Sequence, residues 1–179
     1  MVRHLHHLEG GQGEVIQVAA AHSLALSFFP RWIAQLRNDG LNIATRLVAT
    51  NVGEAVHALR EGGCDLMLAF YDPDAALQMD AEIFPSLHLA HSEMLPVCAA
   101  DANGQPPFDL DNGSSVPLLA YSAGAFLGRS VNLLLRQSNL RFTTVYETAM
   151  AESLKGMAVE GQGIAWVPRL SIRAELERG

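Results

Sequence analysis

The chain has 179 residues, enough for one large domain or two small ones with a real core. Hydrophobic residues make up 49% and charged residues 17%, a balance that excludes a disordered chain. The net charge is −7 and the only lysine is Lys155, which argues against a stand-alone nucleic-acid binder, because phosphate backbones are held by clustered Lys and Arg.

No apolar run reaches the roughly 18 residues that a membrane helix needs. Met1 to Gly13 has no apolar signal core, so the expected location is cytoplasmic, with no membrane partner. Two cysteines, Cys64 and Cys98, make neither a disulfide framework nor a zinc site. Arg3 to Glu9 is helix-compatible and Gly10-Gly11-Gln12-Gly13 breaks it, so residues 1–13 read as a helix remnant and a flexible joint. Its histidines, His4, His6 and His7, have no partner ligands at a metal-site spacing.

Val15 to Ala20 predicts a short buried strand. Ser23 then reads as an N-cap, followed by a helix with Leu24, Phe28, Trp32, Ile33 and Leu36 on one face. Pro30 predicts a kink or a restart within it, and Asn38-Asp39-Gly40 ends it. Ile43 to Ala49 reads as a second strand. Asn51 caps a second helix with the face Val52, Ala55, Val56 and Leu59, stopped by Gly62-Gly63. Asp65 to Phe70 is a third strand, apolar enough to be covered on both faces. Strand, helix, strand, helix, strand predicts a parallel sheet with right-handed crossovers.

Glu82 to His91 and Met94 to Ala99 are two more strand candidates, and Asp101 to Ser115 reads as a surface loop. The alternation resumes with a strand over Pro117 to Tyr121 and a helix over Gly124 to Gln137, its apolar side being Phe126, Val131, Leu134 and Leu135. A strand over Phe142 to Tyr146, a helix over Ala149 to Glu160, a strand over Ile164 to Val167 and a short helix over Leu170 to Arg178 follow. The fold class is α/β, in two units joined near Ser92–Leu95: residues 14–93 and 94–179.

Three motifs carry a family resemblance. Leu59 to Leu68 resembles the helix, Gly and Asp-Leu strand element of LysR-type transcriptional regulators. Glu160 to Pro168, with Gly161-Gln162-Gly163-Ile164, resembles the Gly-x-Gly-Ile-x-x-x-Pro element late in the same effector-binding domain. Ala20 to Leu24 followed by Phe29-Pro30 resembles its first strand-to-helix turn. Within the family, Ala19 to Leu26 and Gly161 to Pro168 are most similar to the hypochlorite-responsive type.

The resemblance implies two lobes of the periplasmic-binding-protein type, each with a central, mostly parallel sheet. It also implies a homodimer, with the helix Ser23–Arg37 of one copy beside Gly124–Gln137 of the other. Exposed Phe29 or Trp32 would mark that surface. A family member would bind DNA through a winged helix-turn-helix that this sequence does not contain. The first lobe would lack its return segment.

In open parallel sheets, ligands bind beyond the carboxyl ends of the strands. Two such ends lead into predicted helix starts here: His22-Ser23, and Ser122-Ala123-Gly124. Thr148 begins a third helix. Free N–H groups and the helix dipole favour an anion at such places. The expected partner is therefore a small anionic effector held by His22, Ser23, Ser122, Ala123, Gly124 and Thr148. Each serine also reads as an ordinary cap. His88 and His91, three apart on a predicted strand, fall on opposite faces and make no metal pair.

No basic residue adjoins Cys64 or Cys98 to activate the thiol. Met150 is the redox candidate, since oxidation turns an apolar side chain polar; core packing is its competing role. No catalytic or cofactor motif is present: there is no nucleophile elbow, P-loop or metalloprotease helix. The reading is an effector-sensing and dimerisation domain, with no cofactor and no catalysis. The rivals are an oxidant sensor using Met150, a solute-binding module and a small α/β enzyme.

Overall fold

In the structure, a computed structural model that describes residues 15–73, 77, 79–108 and 114–177, the chain alternates between strands and helices from its first element. The expected helix remnant over residues 1–13 lies outside the described residues. Strand β1 (Ile16–Ala21) is flanked by β2 (Thr45–Thr50) and β3 (Leu66–Leu68), both parallel to it. The small apolar run Val18 to Ala21 is buried on both faces, which suits a central strand.

Pro30 falls in the first turn of a restarted helix. Helix α1 (His22–Ser27) stops at Phe28, and α2 (Phe29–Asn38) begins with Pro30 where no intrahelical N–H is needed. Helix α3 (Val52–Arg60) is capped as its sequence predicts: Asn51 Oδ1 accepts from the Glu54 amide at 2.9 Å. It covers one face of β1 and β3 through Ala55, which packs with Ala19 and Cys64.

A second sheet has the order β4-β7-β5-β6. Strands β5 (Val116–Tyr121), β6 (Phe142–Thr148) and β7 (Ile164–Pro168) are parallel, and β4 (Met94–Val97) runs antiparallel to β7. Helices α4 (Phe126–Gln137) and α5 (Ala151–Val159) follow β5 and β6. The main core lies here, around Leu119, Leu154, Ala165 and Val167, with Trp166 edge-on to Phe142 at 5.5 Å. A 3₁₀ turn (Arg169–Ile172) and α6 (Arg173–Leu176) then bring the chain back against α1. Two mostly parallel sheets with covering helices make the fold α/β, as expected.

Four expectations need correction. Residues 82–91 form no strand: a turn built on Asp80, whose carbonyl accepts from Phe84 N at 2.8 Å, is followed by an extended run. Pro85 stands in that run and, among the described residues, no neighbouring strand takes its hydrogen bonds; Leu87 is 82% exposed. Strand β3 is not covered on both faces. It is a three-residue sheet edge, and Leu66 is 46% exposed. Ser23 is no N-cap, because α1 starts one residue earlier, with Ala21 at the cap. Phe29 is buried at 7% exposure and Trp32 is half-buried, since the α1–α2 break turns this aromatic pair toward the fold.

At least three contacts tie the sheets together, the third being the hydrogen bond that Ser130 Oγ of α4 donates to Asp72 Oδ2, beyond β3. At the first, Ala21, Leu24 and Val52 from the three-stranded side pack with Phe126 and Leu170 from the other. At the second, the two chain crossings lie side by side. The Arg169 amide donates to the Glu93 carbonyl at 2.8 Å, and Arg169 Nη1 meets Glu93 Oε2 at 3.0 Å.

Candidate functional site

The carboxyl ends of β1, β5 and β6 gather most of the sequence-predicted residues. Tyr121 pairs with Thr148 across β5 and β6, and the Ser122 amide donates to the Thr148 carbonyl at 2.9 Å. Ser122 and Thr148 are therefore direct neighbours. Phe126, the first residue of α4, packs in the same cluster as Ala21 and Leu24, which flank His22 and Ser23. This apolar contact brings the turn after β1 to the turn after β5.

The local geometry differs from a pair of serine caps. Ser122 to Ala125 is a reverse turn closed by Ala125 N donating to Ser122 O at 3.1 Å. Gly124 takes φ +87° at its third position, the requirement of a type II turn. Helix α4 begins only at Phe126, with Ala125 at its cap. Thr148 closes β6, and its hydroxyl accepts from the Met150 amide at 3.3 Å. Met150 is the N-cap of α5, and its side chain is exposed, not in the core.

The three helices that begin here share one property. None of α1, α4 and α5 has a side-chain cap, a lack they share with α2 and α6. Helix α3 does, through Asn51, with Thr50 Oγ1 also donating to Glu54. The first-turn N–H groups of the three uncapped helices have no side-chain acceptor, which is the electrostatic condition for taking an external anion.

The cysteines are far from this region in character. Cys64 is buried in the first sheet's core, and Cys98 follows β4. Burial pushes both thiols above their ordinary range, so neither favours the reactive thiolate. His88 and His91 lie off any strand, and their rings stand 4.2 Å apart instead of on opposite faces. Among the described residues, no group of three or more His, Cys, Asp or Glu is placed to hold a metal ion. No described helix is long and apolar enough to cross a membrane.

Sequence reasoning missed one polar cluster. Lys155 Nζ bonds Glu152 Oε2 at 2.8 Å, Glu175 Oε1 at 3.3 Å and the Ser171 carbonyl at 2.9 Å. The only local signal was the i, i+3 spacing of Glu152 and the sole lysine; the other partners come from the returning chain. This cluster borders a groove of about 740 Å³, which contains none of His22, Ser23, Ser122 and Thr148.

Comparison with known proteins follows the same lines. The model of the LysR substrate binding domain matches residues 9–179. The HTH domain-truncated transcriptional regulator QseD of Escherichia coli O157:H7 is 39% identical over 165 residues, which cover 92% of this chain and 65% of QseD. The HTH-type transcriptional regulator YjiE of Escherichia coli K12 is also 39% identical over 165 residues, 92% of this chain and 52% of YjiE. This chain thus spans between half and two thirds of those relatives. Both are regulators and not enzymes.

Among solved structures, the regulatory domain of HypT from Salmonella typhimurium, a hypochlorite-specific LysR-type regulator, matches in several forms, an apo and a bromide-bound one among them. The apo form has a TM-score of 0.77 at 34% identity, covering 96% of this chain and 78% of that one. The bromide-bound form has a TM-score of 0.75 at 35% identity, covering 95% and 78%. With the parallel strands, the Gly-x-Gly-Ile strand entry and nearly the whole length matched, the chain belongs to the LysR family, as its substrate-binding domain.

Proposed function

We propose that this domain senses a small anion at the carboxyl ends of β1, β5 and β6, between Ser23 and Ser122 with Thr148 beside them. His22, Ala123 and Gly124 complete the lining. The observation that carries this reading is the gathering of three strand ends, with Ser122 beside Thr148 and Phe126 packed with Ala21 and Leu24, at helix starts without side-chain caps. The bromide-bound form of the related HypT domain supports an anion. A carboxylate metabolite fits the oriented N–H donors best, and occupancy favours one arrangement of two copies over another. The copies meet through α1–α2 and α4, where Leu26, Leu133 and Leu134 are exposed. In a whole regulator, that rearrangement would respace the DNA-binding parts; the work is cytoplasmic.

Calorimetry with a panel of carboxylates, sulfate and chloride tests the site. Charge-assisted bonds contribute about 1.5–3 kcal/mol each, so Ser23→Ala or Ser122→Ala weakens binding by about ten- to a hundred-fold. Unchanged affinity for a true effector in both variants rules the site out. A second reading rests on the exposed Met150 at the start of α5 and on likeness to a hypochlorite-specific regulator. If hypochlorite changes the dimer of the wild type and not of Met150→Leu, that reading replaces the first.

A further inference from the structure

The extended run after the Asp80 turn carries two histidines that the strand-end site does not use. His88 and His91 are three apart, and regular alternation would put them on opposite faces. The run is not regular. Leu89 and Ala90, between them, line the groove against Phe28 and Trp32. Both histidines are exposed, and their rings lie 4.2 Å apart, centroid to centroid, tilted by 54°. The backbone is anchored on both sides of the pair. Upstream, the Phe84 amide donates to the Asp80 carbonyl at 2.8 Å. Downstream, the Arg169 amide donates to the Glu93 carbonyl at 2.8 Å, and Met94 pairs with Pro168 in the β4–β7 ladder.

That separation is the one a chelate needs. Transition cations bind an imidazole nitrogen at about 2.0–2.1 Å. Two rings bound at a right angle around one ion then have centroids about 4.5 Å apart, and about 5 Å apart at a tetrahedral angle. The 4.2 Å here lies near the right-angle value, which belongs to square-planar and octahedral ions. Aiming one nitrogen of each ring at a common point takes rotation about χ2, a broad torsion for histidine, and solvent leaves both rings room for it. The acid nearest in sequence, Glu93, is held by Arg169 Nη1 at 3.0 Å, which leaves the imidazoles as the donors. The chain's net charge of −7 favours the approach of a cation.

We propose that His88 and His91 form a two-imidazole site for a divalent transition cation of square-planar or octahedral preference, of the Ni²⁺ and Cu²⁺ kind, with water in the remaining positions. The site is separate from the strand-end site. The ion ties together the two ends of the His88–His91 stretch, which leads straight into the paired crossing at Glu93 and Arg169. Coordination thus fixes the chain where it passes from one sheet to the other.

The probe is Ni²⁺, chosen because it does not oxidise the two thiols, with Zn²⁺ as the tetrahedral comparison. His4, His6 and His7 also present imidazoles close together in sequence, so calorimetry uses the full chain with those three changed to Ala. The expected result is one Ni²⁺ per chain with a Kd below about 100 μM. His88→Ala and His91→Ala each weaken it about tenfold or more, since a chelate needs both rings. His57→Ala and Ser122→Ala leave it unchanged, the latter separating this site from the strand-end site. Zn²⁺ binds less tightly than Ni²⁺. Both ligand side chains are exposed, so without metal both variants keep the thermal midpoint of their parent, and Ni²⁺ raises the midpoint of the parent alone. Absence of saturable Ni²⁺ binding up to about 1 mM, a loss in only one of the two histidine variants, or tighter binding of Zn²⁺ overturns the proposal.

Discussion

A Cβ placed on Gly163 would lie 2.7 Å from the carbonyl oxygen of Pro117. That contact joins the entry of β7 to β5, and Leu119 Cγ closes the space from another side at 3.3 Å. The second glycine of the Gly-x-Gly-Ile element is thus required by close approach to strand backbone, which has no room to yield. Gly163→Ala is expected to cost about 1–3 kcal/mol, read as a lower urea midpoint. Gly156 provides the opposite case. It lies on the exposed side of α5 with nothing within 4 Å of an added Cβ. Gly156→Ala is expected to stabilise by about 0.4–1 kcal/mol, with the same assay as the check.

Alkaline pH should destabilise the domain through two neighbouring groups. Burial, and then the negative charge of Glu152, hold the Tyr121 phenol above its ordinary value of 10.0. For Lys155, burial acts to lower the value, but the bonds and charges of Glu152 and Glu175 outweigh it, so the ammonium titrates above its ordinary 10.5. Both folded-state values are raised. Their contribution is full below the unfolded values near pH 10 and is lost as pH rises through the folded ones. Tyr121→Phe removes a buried hydroxyl that has no partner. It should be at least as stable as wild type at pH 7 and fall less steeply above about pH 10. Lys155→Met leaves the Glu152 carboxylate without its ammonium and should lose about 1–3 kcal/mol at pH 7. Urea unfolding between neutral and strongly alkaline pH decides both.

The capped helix offers a third measurement. Asn51 Oδ1 accepts from the Glu54 amide in the first turn of α3, and α3 covers β1. Asn51→Ala is expected to cost about 0.5–2 kcal/mol, while Asn51→Asp should retain most of the stability. Equal unfolding midpoints for wild type and Asn51→Ala would show that Thr50 and Glu54 suffice.

This chain by itself should give no discrete band in a gel shift against regulatory DNA at moderate salt. Its net charge is −7 with one lysine, and that lysine is committed to Glu152 and Glu175. A band that survives competitor DNA would contradict this.

Most of the architecture was legible because it repeats at short range. The apolar run before His22, the Asn51 cap and the Asp-Leu strand after Gly63 each declare themselves within about ten residues. The failures have a common cause. Ile83, Leu87 and Leu89 look like a strand, but a strand needs a partner edge, and pairing is a property of the tertiary fold. Ser23 looks like a cap, but the helix start was set by the end of β1 at Ala21, two residues earlier. Ser122 to Gly124 lies just beyond a strand, yet Gly124 serves a turn and not the helix. The Lys155 cluster joins residues up to about twenty apart through the returning chain, and no spacing in a single helix announces that.

The clasp between Arg169 and Glu93 decides what kind of motion the domain has available. Two antiparallel segments bonded side by side resist sliding and stretching, because either would break the amide bond from Arg169 to the Glu93 carbonyl as well as its guanidinium contact. They bend easily across their width. Displacements of one sheet against the other are thereby reduced toward rotation about one axis through this paired segment. An effector at the strand ends would then act through that one angle, and its affinity would be linked to the equilibrium between the angle's settings.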